Sequence, residues 1–504
     1  MRQPGLNGSS ITILELDSSA TYPDGIARPN PVLTRLVARG GTLVIDGVHV
    51  YSAIAGQADT DYTNGRSYLL AENGGRMDVL NSEISHLGYA SGEPSGMAWR
   101  EMGKHNGDPT IPDHIRTGAT GSIKNSKIHD LYFGQYSFEA YGLVVTNNEF
   151  YSNVVYGFDP HDYSTGFEVA YNKVFNNGKH GIIFSRGCTL NLIHHNEVWG
   201  NHDHGIMLDR GSNNNQIYNN TVYNNSDGIA IFQSEKNLIK DNTLIDNERG
   251  VRINATYDLL DEFNGLANDN IVQNNIIRDN TQYGVYLYEG ADRNIIQGNT
   301  IEGSSASGIY IKTGGNSIRG NTIRTNDTGV TVLGGDPITV GNPQGTPPYI
   351  PPLFDGGHNN TIVGNTISDN NSVGIRLSGA VNTIIGLSGP NPVPGDANII
   401  VTNGTHHGNG VDGVLVKGQG SNNNLVSQTG ITRPNAIVEL YSDDAGQGRI
   451  YEASVTADAS GSYSAQLDWK AATVNAFATD IHGNSSGFAI NQGKFQVFLP
   501  IIQR

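Results

Sequence analysis

Apolar residues recur along most of the chain in a fixed relation to glycine. After each glycine the first and third positions are apolar, as at Ile182 and Phe184 or at Ile206 and Leu208. A period of two is typical of a β-strand, because successive side chains of a strand point to opposite faces. A helical repeat would need apolar residues three and four apart, with Ala, Leu and Glu in place of Asn, Gly and Thr. The pattern therefore predicts many short strands.

The glycine before each strand recurs at intervals of 21 to 24 residues, except where insertions lengthen them, and an asparagine register runs beside it. Such self-similarity indicates a solenoid whose coils stack, since one coil cannot bury its apolar face alone. Asparagine suits the turns because it tolerates a left-handed backbone and forms ladders. The predicted fold class is all-β, a right-handed parallel β-helix. The repeated residues are Gly134, Gly157, Gly181, Gly205, Gly228, Gly250, Gly284, Gly308, Gly329, Gly374 and Gly413, with Asn125, Asn148, Asn172, Asn196, Asn220, Asn242, Asn275, Asn299, Asn321 and Asn365.

Three segments are predicted from where the repeat holds. Residues 1–75 are expected to be irregular coils that cap the solenoid, and residues 76–425 to form the catalytic β-helix. Over residues 426–504 the pattern changes to short alternating strands separated by Gly, Asp and Ser, for example at 436–441. These strands predict a small immunoglobulin-like β-sandwich at the C-terminal end.

The composition of the chain bears on disulfides, membrane spans and cellular location. The 504 residues include one cysteine, Cys188, so neither an internal disulfide framework nor a cysteine-based zinc cluster is expected, and burial is its expected role. No apolar run approaches the roughly 18 residues of a membrane span. The start, Met1-Arg2-Gln3-Pro4, lacks the apolar segment of a signal peptide. We expect a secreted, cell-surface or periplasmic protein whose leader has been removed.

The formal net charge of −17 argues against nucleic acid as a partner, because nucleic-acid-binding domains are normally basic. It also opposes long-range attraction of a polyanion. Residues 161–210 are the exception, since they hold six of the fifteen histidines together with Lys179, Arg186 and Arg210. Local charge in this segment can act on an anionic ligand. A monomer is the expected oligomeric state.

The most informative departure from the repeat is the run Tyr156-Gly157-Phe158-Asp159-Pro160-His161-Asp162. It holds four groups that can move or polarise a proton. If the first and third positions after the glycine face the core, Asp159 and His161 project together onto an exposed face. Proline is unusual inside a sheet strand, which favours a specialised site over a turn with an ordinary surface histidine.

Stacking of the coils predicts the neighbours of this run on the outward face. Ser185 is expected beside His161 one coil onward, and Asp209 two coils onward. A charge at the fifth position after the glycine could not face the core, so each strand is predicted to end before it. The predicted substrate-binding residues are Asp162, Lys179, His180, Ser185, Asp209, Arg210, Phe232 and Arg252.

A metal site is one alternative use of the histidines. It would employ His194, His195, His202 and His204, but no carboxylate or cysteine stands at a matching ligand spacing. No metal ligand is therefore assigned.

Two hydrolytic alternatives use the same face. A triad of Ser185, His161 and Asp209 lacks the glycine pattern of a nucleophile elbow. A glycosidase would employ Asp159 and Asp209 as its two carboxylates, which leaves the histidine and the arginines without a task.

An enzyme acting on a uronate gives every group a task. An arginine would pair with the sugar carboxylate while the histidine removes the C5 proton, since the carbanion beside a free carboxylate is too basic for an imidazole to generate at neutral pH. Return of a proton gives epimerisation, whereas expulsion of the 4-linked sugar gives a uronan lyase. A non-catalytic polysaccharide-binding or adhesin solenoid is the alternative of another class, and it leaves the cluster unexplained.

The run at residues 156–162 resembles a signature of bacterial mannuronan C5-epimerases. Other segments resemble the periplasmic, alginate-biosynthetic branch of that family, and the resemblance is strongest over residues 125–260. These segments are residues 133–140, 179–186 and 205–210.

The resemblance implies conversion of β-D-mannuronate to α-L-guluronate within an alginate-type polyuronate. It implies that His161 is the base, that Arg186 neutralises the carboxylate, and that Tyr156 and Asp159 donate a proton or position groups. Calcium-dependent secreted members have an aspartate where Ser185 stands, and they carry Gly-Gly-x-Gly-x-Asp repeats that this chain lacks. No cofactor is therefore expected, and calcium is not expected to be required. A C-terminal sandwich is not usual in the periplasmic branch, which leaves another uronan open as substrate.

Overall fold

A computed structural model describes the chain in two compact units, Met1–Leu238 and Ile239–Arg504, and each is considered by itself. All regular secondary structure in the described residues is β-strand. No helix within these residues has the length and apolarity to cross a membrane. The described residues are 35–54, 57–63, 66–90, 96–101, 118–255, 265–335, 338–339, 353–354, 356–385, 398–401, 414–417, 425–431, 435–443, 450–468, 473–479 and 495–496.

The first unit is built from short strands, most of three to six residues. They are β1 (Arg35–Arg39), β2 (Thr42–Asp46), β3 (His49–Tyr51), β4 (Ala53–Ile54), β5 (Gln57–Ala58), β6 (Tyr68–Glu72), β7 (Arg76–Leu80), β8 (Glu83–Ser85), β9 (Gly96–Arg100), β10 (Thr120–Lys124), β11 (Lys127–His129), β12 (Phe133–Phe138), β13 (Val144–Thr146), β14 (Glu149–Tyr151), β15 (Asp159–His161), β16 (Glu168–Ala170), β17 (Lys173–Phe175), β18 (Ile182–Ser185), β19 (Leu192–His194), β20 (Glu197–Trp199), β21 (His204–Asp209), β22 (Gln216–Tyr218), β23 (Thr221–Tyr223) and β24 (Asp227–Phe232).

These strands form three parallel sheets, and each coil gives one strand to each sheet. The first sheet has the order β1-β6-β9-β12-β15-β18-β21-β24, the second β2-β7-β10-β13-β16-β19-β22, and the third β3-β8-β11-β14-β17-β20-β23. Apolar side chains stack in register inside the coils, as Val145, Val169 and Ile193 do in the second sheet. The all-β fold with parallel stacked coils is thus confirmed.

Asparagine ladders join the coils at their turns. The buried side-chain amide of Asn148 donates to Asn172 Oδ1 at 2.9 Å, and Asn172 donates to Asn196 Oδ1 at 2.9 Å. The predicted start of this ladder is wrong by one residue, because Ser126, not the exposed Asn125, donates its backbone N–H to Asn148 Oδ1 at 2.9 Å. The ladder satisfies buried backbone groups that no strand partner reaches.

Replacement of one ladder asparagine should destabilise the protein. In Asn172→Ala, the backbone N–H and side-chain amide of Asn148 lose their acceptor, and Val145 O loses the Asn172 amide. Since each unsatisfied buried polar group costs about 1–3 kcal/mol, we expect a lower midpoint of thermal unfolding by circular dichroism. Lys173→Ala, at the exposed next residue, is the control and should change the midpoint little. Equal midpoints for the two variants would show that the ladder does not hold the coils together.

The repeated glycines are required by close packing at a corner of the coil. A Cβ added to Gly157 would lie 2.6 Å from the carbonyl oxygen of Gly181 and 2.8 Å from both the amide nitrogen of Asn177 and a methyl of Val174. Backbone and buried side chains cannot move away from such contacts cheaply. The glycine period in the sequence therefore records a steric need of each coil.

The second unit continues with strands of the same kind. β25 (Leu238–Lys240) begins at the last residue of the first unit. The strands that follow it are β26 (Thr243–Ile245), β27 (Arg249–Asn254), β28 (Ile271–Gln273), β29 (Ile276–Arg278), β30 (Tyr283–Leu287), β31 (Ile295–Gln297), β32 (Thr300–Glu302), β33 (Ser307–Ile311), β34 (Ser317–Arg319), β35 (Thr322–Arg324), β36 (Thr328–Leu333), β37 (Ile338–Thr339), β38 (Leu353–Phe354), β39 (Thr361–Val363), β40 (Thr366–Ser368), β41 (Val373–Ser378), β42 (Ile384–Ile385), β43 (Ile399–Val401), β44 (Val414–Lys417), β45 (Leu425–Ile431), β46 (Ile437–Asp443), β47 (Ile450–Thr456), β48 (Ser462–Asp468), β49 (Thr473–Thr479) and β50 (Phe495–Gln496).

Parallel stacking also organises the second unit. Its sheets follow the orders β27-β30-β33-β36-β41-β44, β28-β31-β34-β39-β42-β45 and β26-β29-β32-β35-β40-β43. Near the C-terminal end the pairing becomes antiparallel, with β45 against β48, and with β46 between β47 and β49. An immunoglobulin-like sandwich, and segment boundaries at residues 75 and 425, stay predictions. The repeat glycine Gly413 lies outside the described residues.

Candidate active site

The outward face of the first sheet in the first unit brings the predicted site residues together. Asp159 lies in register with Tyr136, and His161 lies in register with Ser185 on the next coil. Ser185 is in turn in register with Asp209. The coil-by-coil alignment predicted from the glycine period is therefore confirmed over these strands.

The prediction that this whole face is exposed is wrong. Asp159, Ser185 and Asp209 are only 2%, 1% and 8% exposed. Ser185, for example, lies between His161 and Asp209 on strands that are hydrogen-bonded side by side. Beside them Ile183, Met207 and Ala230 form a buried apolar cluster, against which Tyr156 and Phe232 pack. Buried polar side chains and partly buried aromatic side chains therefore lie next to each other on this face of the sheet.

His161 stands in a chain of contacts that crosses two coils. Its Nδ1 contacts a carboxylate oxygen of Asp162, and the other oxygen of Asp162 lies 3.0 Å from Nε of Arg186. With Nδ1 engaged by a carboxylate, Nε2 is the ring nitrogen left to meet a substrate. An imidazole held in this way has a fixed orientation and a carboxylate to stabilise its charged form.

The residues that follow the strands lie in the left-handed backbone region. This holds for Asp162 (φ 37°), Arg186 (φ 64°), Arg210 (φ 49°) and Gln233 (φ 46°), and for Glu139 (φ 50°) one coil earlier. The predicted end of each strand before the fifth position is thus confirmed. Each such residue costs on the order of 1–3 kcal/mol and persists only where the surroundings impose it. Here hydrogen bonds between coils do so, for example from Arg186 N–H to the Asp209 carbonyl at 3.1 Å.

The two predicted arginines have different carboxylate partners. Nη1 of Arg210 lies 3.4 Å from Asp209 Oδ2, and the Ser185 hydroxyl donates to the same oxygen at 3.3 Å. Arg186 instead contacts Asp162, which holds the imidazole of His161. Arg186 is therefore linked to His161 through Asp162, whereas Arg210 pairs with Asp209, the residue before it.

Burial changes the proton affinities of the central groups. It raises the pKa of Asp159 to about 7, where nearby His161 opposes the rise and Asp162 adds to it. The buried Oδ1 atom of Asp159 has no hydrogen-bond partner among the described residues. Burial lowers the pKa of His161, but its hydrogen bond to Asp162 and the charge of Asp159 outweigh burial, and the net pKa is raised from 6.5.

A stack of three rings runs across neighbouring coils and consists of Tyr156, His180 and His204. The ring of His180 lies 5.1 Å from that of Tyr156 and 4.8 Å from that of His204, nearly parallel to both. Burial first, and then His204, lower the pKa of His180 to about 3. The backbone N–H of His204 donates to Nδ1 of His180 at 3.4 Å, an acceptor role that only a neutral imidazole can fill. Burial and then Asp159 raise the pKa of Tyr156 to about 12.

Three other predicted residues lie at the edges of this arrangement or outside it. Lys179 is exposed, and its charge contributes to the low pKa of His180. Phe232 meets the ring of His204 edge-on at 5.3 Å. Arg252 belongs to the second unit, where its Nε donates to Asn254 Oδ1 at 2.7 Å.

Tyr136 is a residue of this site that was not identified from the sequence. Its ring centroid lies 5.8 Å from that of His161. Burial and then the charge of Asp159 raise its pKa well above the usual value of 10, so its hydroxyl remains protonated. The signal was present, because Tyr136 stands two residues after Gly134 as Asp159 does after Gly157.

Removal of the Asp162 carboxylate should lower the pKa of His161. In Asp162→Asn the hydrogen bond that raises this pKa loses its charge, while burial, which lowers it, is retained. The titration of the His161 ring by NMR should therefore move to lower pH than in the unmodified protein. Asp203→Asn, beside His202 (2.9 Å) and not His161, is the control. If the pKa of His161 were unchanged in Asp162→Asn, the contact with Asp162 would not be what raises that pKa.

Metal binding finds no support in the geometry of the described residues. Within them, no group of three or more His, Cys, Asp or Glu side chains is placed to hold a metal ion. The rings of His194 and His195 are instead nearly perpendicular to each other, with their Nδ1 atoms 2.9 Å apart. The expectation that no cofactor is needed stays a prediction.

The chain is similar to known protein families, to known relatives and to a solved structure. A family profile described as "Right handed beta helix region" matches residues 207–323 and 262–445, and one described as "Periplasmic copper-binding protein (NosD)" matches residues 104–262. A mannuronan C5-epimerase of Pseudomonas putida is 32% identical over 201 residues, and mannuronan C5-epimerase AlgG of Azotobacter vinelandii is 36% identical over 197 residues. Each alignment covers 38% of this chain and 37% of the relative.

The resemblance to mannuronan C5-epimerases is confirmed. The chain spans little more than a third of the length of these epimerases. The crystal structure of the periplasmic alginate epimerase AlgG is similar with a TM-score of 0.46 and 26% identity, covering 54% of this chain and 66% of that one.

Proposed function

We propose that this chain is a polysaccharide C5-epimerase that converts β-D-mannuronate to α-L-guluronate within an alginate-type polymer. The observation that carries the proposal is the contact chain from His161 through Asp162 to Arg186. It joins a base, the group that supports its charged form and a cation for the substrate carboxylate. The relatives named mannuronan C5-epimerases support the same reaction class.

In this mechanism Nε2 of His161 takes the C5 proton from one face of the sugar ring. Asp162, in contact with Nδ1, stabilises the imidazolium that results. Arg186 pairs with the sugar carboxylate, where negative charge accumulates as the proton leaves, and so lowers the energy of the carbanion. The guanidinium suits this task because it binds carboxylates through two parallel hydrogen bonds.

The second half of the reaction returns a proton to C5 from the opposite face. Tyr156 is the proposed donor, since its pKa near 12 keeps its hydroxyl protonated at neutral pH. Asp159, buried and with a pKa of about 7, exists in part as the neutral acid, which limits repulsion of the substrate carboxylate. The neighbouring sugars of the polymer would be bound by Lys179, His180, Ser185, Asp209, Arg210 and Phe232.

Incubation of polymannuronate with the protein in heavy water tests this proposal. The proton NMR spectrum should show guluronate signals with deuterium at C5. Unsaturated chain ends would show a uronan lyase, which begins with the same proton abstraction, and no change on several uronans would show a binding protein. The assay run with and without a calcium chelator tests the expectation that calcium is not required. A secreted or periplasmic location fits a polysaccharide substrate.

A further inference from the structure

Five residues of the first unit form a column across neighbouring coils, because each of them directly precedes a repeat glycine. They are Phe133, Tyr156, His180, His204 and Asp227, which stand before Gly134, Gly157, Gly181, Gly205 and Gly228. His204 and Asp227, for example, are in register on β21 and β24. We call these five residues the pre-glycine column. It begins with an apolar ring and ends with a carboxylate.

Flat rings occupy the first four positions of the pre-glycine column. The Tyr156 ring lies between those of Phe133 and His180, with centroids 5.2 Å and 5.1 Å away and interplanar angles of 9° and 8°. The His180 ring in turn lies 4.8 Å from the His204 ring, at an angle of 2°. Both faces of the Tyr156 ring are therefore covered, and its two neighbours set the plane in which its hydroxyl points.

The last position of the column is a buried carboxylate. Asp227 is 0% exposed, and its Oδ2 lies 3.0 Å from Nδ1 of His204. A carboxylate this close to a ring nitrogen favours one orientation of the imidazole. Phe232 meets the same ring edge-on at 5.3 Å. The His204 ring is thus held from two sides while it covers a face of the His180 ring.

Proton transfer from ring to ring along the column does not fit this geometry. An imidazole N–H and a phenol O–H donate in the plane of the ring, whereas these rings are stacked face to face. The hydrogen bond that joins His204 to Nδ1 of His180 comes from the backbone N–H of His204. The column can therefore fix the position of Tyr156, but it does not carry a proton to it.

The fold itself does not impose a ring before the repeat glycine. Ser307, Thr328 and Val373 occupy this position in the second unit, where their strands stack in the same parallel way. Small and β-branched side chains are thus compatible with a stacked coil. The rings beside Tyr156 are therefore not explained by the stacking of coils alone.

We propose that Asp227 and His204 are positioning residues of the candidate active site. Through the His180 ring they hold Tyr156 so that its hydroxyl is directed at C5 of the sugar. This inference rests on the proposed function, in which His161 takes the C5 proton from one face and Tyr156 returns a proton to the opposite face. A donor whose ring is held on both faces meets that geometric demand before the substrate arrives.

The test is the fate of deuterium at C5 when polymannuronate is incubated with the protein in heavy water. Once C5 has lost its proton, a deuteron from Tyr156 gives labelled guluronate, whereas a deuteron returned by His161 gives labelled mannuronate. Because misplacement of a reacting group by about 1 Å can cost about 10²-fold in rate, guluronate formation in Asp227→Asn should fall by about 10–100-fold. The ratio of labelled mannuronate to labelled guluronate should rise, and KM should change little.

Glu197→Gln is the matched control, because it also replaces a carboxylate by an amide in the first unit. Glu197 lies on the third sheet, where it accepts a hydrogen bond from the Tyr223 hydroxyl at 3.0 Å, and its replacement should leave the ratio unchanged. Two further variants decide the question if Asp227→Asn does not fold. His180→Phe keeps a flat ring beside Tyr156 and should retain a low ratio, whereas His180→Ala should raise it.

NMR of isotope-labelled tyrosine follows the Tyr156 ring without turnover, and its signal is assigned by its loss in Tyr156→Phe. The neighbouring rings shift this signal, so Asp227→Asn should move it and Glu197→Gln should not. The inference is wrong if Asp227→Asn gives the same ratio as Glu197→Gln, or if the signal stays in place. An unmodified protein that puts no deuterium at C5 would instead overturn the proposed reaction, while the signal would still show whether Asp227 positions the Tyr156 ring.

Discussion

His161→Asn is expected to lower kcat by about 10²–10⁴-fold, the usual contribution of a positioned general base. Asparagine retains a polar side chain beside Asp162 but has no nitrogen that can accept the C5 proton. Substrate affinity should survive, because the proposed contacts with the polymer are spread over several coils. Single-turnover rates and polymer binding measured on the same variant separate the two quantities. A rate like that of the unmodified protein would show that another group removes the C5 proton.

The pH profile gives an independent test of the same assignment. His161 accepts a proton only when it is neutral, and its pKa is raised from 6.5. Turnover should therefore fall as the pH drops through a value above 6.5. Asp162→Asn should move this acidic limb to lower pH, since it removes the contact that raises the pKa.

Arg186→Ala is expected to lower kcat by about 10²–10³-fold, as the removal of one preorganised hydrogen-bond donor to a developing negative charge does in other enzymes. Arg210→Ala is the matched control, because it removes the same side chain one coil away and should mainly raise KM. Arg186→Lys should recover part of the rate, since an ammonium cannot form the two parallel hydrogen bonds of a guanidinium. If Arg186→Ala raised KM alone while Arg210→Ala abolished kcat, the two assignments would be exchanged.

The pH profile of Arg186→Ala should shift in the direction opposite to that of Asp162→Asn. The positive charge of Arg186 lowers the pKa of His161, so its loss should move the acidic limb to higher pH. A purely structural role for Arg186 would reduce the amount of folded protein without moving the limb. Opposite shifts of the acidic limb in Asp162→Asn and Arg186→Ala would therefore support the contacts from His161 through Asp162 to Arg186.

The repeat alone predicts which residues stack. The coils of the candidate site repeat the same glycine at Gly157, Gly181 and Gly205, so His161, Ser185 and Asp209 can be aligned by counting, and the strand register agrees. Asn125 shows the limit of counting, because the ladder position in that coil is occupied by Ser126. Tyr136 shows another, since it could have been found by extending the alignment one coil back.

Side-chain burial and pairing were not predictable in the same way. The depth of Asp159 depends on the bulk of its neighbours on adjacent coils, which the spacing of one strand does not express. The contact between Arg186 and Asp162 depends on left-handed backbone at both residues. A period-two strand pattern shows where the strand ends, but not the direction in which the next side chain points.

The asparagine ladder has a consequence for how this chain can change during evolution. In the second unit, amide hydrogen bonds of 2.9–3.0 Å join Asn275 to Asn299, Asn321 to Asn365 and Asn365 to Asn398, although these partners are 24, 44 and 33 residues apart. Extra sequence between two coils therefore leaves the bonds between them unchanged. Segments of different lengths can be inserted or exchanged at the turns while the stack retains its alignment, so the surroundings of a binding face can diversify without redesign of the scaffold that carries it.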